Sequence, residues 1–238
     1  MIKLKDILLE GKPSTIFVPR RIEDRTERLI SLYIRNGSKG DLNLNGLKLT
    51  KLPEILKNVN VEGFFDCDNN ELTSLENAPK SVGGSFNCKE NLLTSLKGAP
   101  EYVGGNFYCS QNKLTSLVGA PKSVGGNFDC SYNDLTSLEG APEYVEGYFA
   151  GSRNNLTSLK GAPKKVDHTF YCSYNLLTSL VGAPEYIGTN FICNNNLLTS
   201  LEGSPKTVKG DFYCKFNSVQ FTKKQVREVC DVRGMIII

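Results

Sequence analysis

The sequence predicts one elongated solenoid of stacked coils, and three observations carry that prediction. Phe65, Phe86, Phe107, Phe128, Phe149, Phe170, Phe191 and Phe212 recur every 21 residues. Asn70, Asn91, Asn112, Asn133, Asn154, Asn175, Asn196 and Asn217 keep the same spacing in a second register, without a gap. A chain with such a period folds as coils that cannot bury their apolar side alone and stack to share one core. The third observation is electrostatic: the residue after each repeat proline reads Lys80, Glu101, Lys122, Glu143, Lys164, Glu185, Lys206. With rungs about 4.8 Å apart, like charges would repel in a column, whereas alternation gives each Lys two Glu neighbours. Exposed pairs contribute roughly a few tenths of a kcal/mol each, so what they secure is register.

Residues 1–40 read as an N-terminal segment and helical cap, 41–217 as the repeats and 218–238 as a C-terminal cap. Met1 to Glu10 is a short amphipathic stretch ending Leu8-Leu9-Glu10 before Gly11. It resembles the capsid-targeting propeptides of internal head proteins of contractile-tailed phages, which are cut after an apolar-x-Glu sequence; the other reading is an amphipathic cap helix. Ile22 to Arg35 places Ile22, Leu29, Ile30, Tyr33 and Ile34 at helical spacing and ends at Asn36-Gly37, a C-cap signal. Asp41 to Pro53, with Leu42, Leu44, Leu47, Leu49 and Leu52, is a divergent first coil.

In a representative repeat, residues 99–119, Phe107 and Cys109 alternate with Asn106 and Tyr108, the period of a short strand with one buried face. Asn112 follows, then Leu114 and Leu117 pointing inward, and Gly119 and Pro121 turn the chain. No helix fits before the next strand at Phe128, so the return is expected to be extended or polyproline-like. A column of Asn amides is expected to bond the turn backbone of neighbouring coils. The Thr-Ser of each Leu-Thr-Ser-Leu reads as turn chemistry. At the C-terminus, Thr222-x-x-Gln225 is a capping box opening a helix with Val226, Val229 and Cys230 on one face, and Met235 to Ile238 reads as a final strand.

Composition narrows the function. Residues 1–40 hold 9 basic and 5 acidic groups, 41–204 hold 12 and 17, and 205–238 hold 7 and 3. An acidic middle between basic ends argues against a nucleic-acid groove along the repeats, leaving only a weak reading through the ends. There is no run of 18 apolar residues and the start is too charged for a secretory signal, so a soluble chain without a membrane partner is expected. Seven of the eight Cys share one repeat position and read as a buried apolar column. Rung spacing would allow disulfides, but a reducing cytosol disfavours them. A straight column cannot surround zinc, so no metal is expected.

The phrase Phe-x-Cys-x-x-Asn-x-Leu-x-x-Leu resembles the leucine-rich-repeat pattern, and the short coil with Leu-Thr-Ser-Leu is most similar to bacterial and phage-type members of that family. The resemblance spans roughly Asp41 to Asn217; it departs in carrying Phe and Cys where Leu is commoner, and Gly-Gly before the strand. It implies short parallel strands on a concave face and Asn side chains bonding backbone groups between coils; the coil length adds the extended, non-helical convex side.

No enzyme constellation is visible, and no cofactor is implied. His168 is a lone substitution for Gly, and Cys230-Asp231 lacks the separate catalytic domain that leucine-rich-repeat ubiquitin ligases use. A protein-binding module is the leading reading. The outward positions beside Phe and Cys, and the loop after them, vary from coil to coil while the core does not. They place Tyr108, Asp129, Tyr132, Tyr148, Arg153, Tyr171, Tyr174, Ile192, Tyr213 and Phe216 on one Tyr-rich face. The family resemblance implies a phage-encoded chain in the bacterial host cytoplasm, binding a host defence protein. The alternative is a structural or assembly component of a phage particle, and the propeptide-like start implies packaging in the virion.

Overall fold

The computed structural model describes residues 22–238. Among them, strands of two residues each build two parallel ladders, so that each repeat coil gives one strand to both. The main ladder has ten strands, from Leu42–Asn43 to Ile236–Ile237. The second has nine, from Asn60–Val61 to Asp231–Val232. Register follows the repeat: Phe107 pairs with Phe128 and Tyr108 with Asp129, and Val103 pairs with Val124 on the other side.

Burial explains the main ladder. Each Phe is fully buried, the next residue is partly open in most coils, and the Cys two positions on is buried again. The phenylalanines form one continuous column with ring centroids 5.1 to 5.9 Å apart. Across the core, Val82, Val103, Val124, Val145, Val166, Ile187 and Val208 close the opposite wall. The return is therefore extended, as expected, but it is a hydrogen-bonded ladder and not a polyproline stretch: Gly104 N–H, for instance, donates to Val82 O at 2.9 Å.

The Asn column does what its spacing implies. Asn133 donates from Nδ2 to Cys109 O at 3.1 Å, Cys130 O at 3.1 Å and Ser131 O at 3.2 Å, and its Oδ1 accepts from Leu114 N at 2.9 Å. One amide thus ties the turn of its own coil to the coil before it. Several repeat serines close their turns as expected, Ser116 Oγ accepting from Val118 N at 3.1 Å and Ser158 Oγ from Lys160 N at 3.1 Å. Glycine is required at the next corner, where Gly140 has φ +92° and a Cβ would stand 2.5 Å from Leu117 C. All eight cysteines are buried free thiols. Burial pushes the thiol of Cys109 far above its usual range and that of Cys230 up to about 11, so both are protonated at neutral pH.

The ends depart from expectation in detail. Helix α1, Ile22–Arg35, ends in a Schellman turn, with Ser38 N–H donating to Tyr33 O at 3.1 Å and Gly37 N–H to Ile34 O at 3.0 Å. It packs Ile30 and Tyr33 inward, but Leu29 faces outward, and Thr26 is buried instead. The first coil returns through a 3-10 turn, Glu54–Asn58, before its strand Asn60–Val61 joins the second ladder, so the expected non-helical return fails there; Leu42 pairs with Phe65, 23 residues on, and the longer coil takes up its extra residues in that turn. Helix α2, Lys223–Val229, opens with the expected capping box. Val226 and Cys230 are buried, but Val229 is exposed, because a helix this short turns only one narrow stripe to the core. In the alternating charge column only Lys164–Glu143, at 3.8 Å, and Lys206–Glu185, at 2.8 Å, close as ion pairs among the described residues. The remaining long, solvated side chains gain too little to be held. Met1 to Glu10 lies outside the described residues.

Candidate functional site

The outward face of the main ladder carries one groove that gathers much of the Tyr-rich face. It encloses about 590 Å³ and is lined by Asp129, Tyr132, Tyr148, Arg153, Tyr171 and Tyr174, together with Lys89, Gln111, Ala150 and a row of serines. The strands position one side: Tyr148 and Tyr171 flank Phe149 and Phe170 and meet edge to face, centroids 5.9 Å apart. The loop after the strand positions the other side. There Arg153 places its guanidinium carbon 5.2 Å from the Tyr132 ring centre and 4.2 Å from that of Tyr174, a cation between two aromatic rings on flanking rungs.

Between these sides the floor is polar and close to the backbone. Ser110, Ser131, Ser152 and Ser173 occupy the position directly after the buried column on four successive coils. Ala150 stands where the neighbouring coils carry Asp129 and Tyr171, which deepens the groove at its centre. Asp129 accepts from Ser131 N at 3.0 Å, an Asx turn that holds its carboxylate over the floor. Burial first, then the nearby Asp129 and Tyr108, pushes the Tyr148 hydroxyl up to about 12, so it remains a hydrogen-bond donor at any physiological pH.

The loop geometry is unusual. Tyr132, Arg153 and Tyr174 have φ of 55°, 56° and 57°, the left-handed region that bulky side chains rarely occupy. The same position is left-handed in every coil, including at Asn69 and Asn195, where the residue type suits it. Each bulky residue held there costs about 1 kcal/mol or more.

The face is not one continuous surface. Tyr108 lies beside the groove with Lys89 Nζ 5.8 Å from its ring centre, while Ile192, Tyr213 and Phe216 stand on later rungs outside it. Tyr213 is engaged with Asp211 at 3.1 Å, and Phe216 is 76% exposed. Sequence reasoning missed the serine floor, Ala150 and Lys89; the serine column was legible at the repeat spacing but lay in what read as a turn. It also missed a second aromatic cluster, on the other ladder. Lys165 lies 5.3 Å from the Tyr144 ring centre and 5.5 Å from that of Tyr186, but its charge is matched by Asp167 at 2.8 Å.

Parallel two-residue strands at one repeat spacing, an Asn ladder and inward leucines together define the architecture, and solved structures share it. The leucine-rich-repeat domain of a Shigella effector superposes with a TM-score of 0.60 at 20% identity, over 83% of this chain and 91% of its own. The fold is a leucine-rich-repeat solenoid. YopM, a leucine-rich effector protein from Yersinia pestis, superposes with a TM-score of 0.58 at 24% identity over 84% of this chain, which spans 56% of YopM's length. The sequence matches no family model and no curated protein. Among the described residues of this leucine-rich-repeat chain, no helix is long and apolar enough to cross a membrane.

Proposed function

We propose that this chain is a protein-binding module whose partner seats in the groove of the main ladder. The observation that carries the reading is the Tyr132–Arg153–Tyr174 stack, three bulky side chains kept at left-handed backbone positions where Asn69 and Asn195 show a cheaper solution. Large amphipathic side chains with little rotamer freedom are what interface hot spots use. Solved relatives in fold are bacterial effector domains, which fits an interaction role. In this reading 41–217 form the binding body, and the segments on either side close its ends.

The finer form of the proposal is a phage-encoded chain acting on a host defence protein in the bacterial cytoplasm, without catalysis. It rests on the sequence resemblance, and so does packaging in the virion, which a mature chain beginning at Gly11 in purified particles would support. The binding reading itself is tested by capture from infected-cell lysate with wild type and with Tyr171→Ala/Tyr174→Ala. The double variant is expected to keep its melting temperature within a few degrees and to lose about tenfold or more of the captured partner. Equal capture by both chains would remove the groove from the interface.

A further inference from the structure

We propose that Arg153 is the specificity centre of the groove, and that it receives a carboxylate from an Asp or Glu of an extended partner segment. The proposal rests on the reading above, that the groove binds a protein. Arg153 is exposed and held between the Tyr132 and Tyr174 rings, yet among the described residues its side chain has no ion pair or hydrogen bond. Its fork of five N–H donors is positioned in advance and unclaimed, the arrangement that suits bidentate capture of a planar anion.

Charge points to the same ligand. Residues 41–204 carry 12 basic and 17 acidic groups, so the body is acidic. Lys160, Lys164 and Lys165 pair with carboxylates on this body, while its other lysines are solvated. Neither Lys89 nor Arg153 closes an ion pair among the described residues, and together they outnumber the one acid lining the groove, Asp129. The groove is thus a locally positive site in an acidic surround, which admits an isolated carboxylate and rejects a basic segment. Shape agrees: the coil that carries Arg153 also carries Ala150, whose small side chain leaves depth in the groove beside the guanidinium.

A display library of random nonapeptides, selected in parallel on immobilised wild type and on Arg153→Gln, tests this. Gln111 occupies the equivalent position with φ 55°, so the variant side chain is already tolerated at this corner. Wild type should enrich peptides with Asp or Glu at one position, and the best of them should bind Arg153→Gln about tenfold more weakly, with Arg153→Lys recovering only part of the loss. Enriched peptides without an acidic preference, or equal affinity for both chains, would overturn the carboxylate assignment and leave the groove as a binding site. No enrichment on wild type at all would overturn the groove reading with it.

Discussion

Four residues after each repeat phenylalanine the backbone is left-handed whichever side chain stands there, from Asn69 through Glu90 and Gln111 to Phe216. The corner is imposed by the stacked coil, and the side chain is left to bear the strain. Phe216, 76% exposed at φ 57°, bears it with little burial in return. Phe216→Asn is therefore expected to raise stability by about 1 kcal/mol in urea denaturation; a lower midpoint would mean that the ring secures the C-terminal end. The Asn column is the opposite case. Asn133→Ala would leave Leu114 N–H without its partner, while Cys109 O keeps the Asn112 amide and Cys130 O the Asn154 amide; a loss of about 1–3 kcal/mol is expected, the cost of one buried orphan. Tyr148 adds a pH signature. Its folded value, about 12, lies above the ordinary 10.0, so its contribution to stability is complete below pH 10 and fades as pH rises through that window. Tyr148→Phe should remove one late-titrating phenolate from the absorbance titration of the folded protein.

At the scale of elements, what could be read from the sequence was what burial repeats. Phe and Cys alternate on one face, so the main ladder was legible, and so were the capping box at Thr222 and the stop at Asn36-Gly37. The second ladder was not, because each of its strands has a single inward residue, such as Val103 or Val124, beside outward positions that hold Tyr102, Ser123 or Lys165. Two residues are too few to show alternation; only the valine column at repeat spacing betrays it. The groove was legible in its tyrosines and Arg153 but not in its floor, since a serine after a buried Cys looks like loop chemistry until the rungs are stacked. Helix α2 offers a local check. Its N-terminus rests on the reciprocal Thr222–Gln225 bonds, so Thr222→Ala should cost about 1 kcal/mol and speed amide exchange at Cys230, which donates to Val226 O, while leaving exchange in the central rungs unchanged.

At the scale of the molecule, stability is a sum over coils and their interfaces, because each rung touches only its neighbours. A whole coil can then be removed if register is kept. Deleting residues 183–203 joins Gly182 to Ser204 and brings Phe212, Cys214 and Asn217 onto the rung above Phe170, Cys172 and Asn175 in unchanged order. The shortened chain should unfold cooperatively with a somewhat lower midpoint. Deleting residues 183–202 instead retains Gly203 and shifts every later residue by one, which turns Phe212 toward solvent and Tyr213 toward the core. That chain should lose its last rungs and α2, giving early proteolysis after Gly182. The groove between Lys89 and Tyr174 lies on the retained side of both deletions. The in-register variant should therefore bind whatever the full-length groove binds with unchanged affinity. A loss of binding in that variant, with its melt intact, would move the interface toward Ile192 and the C-terminal rungs.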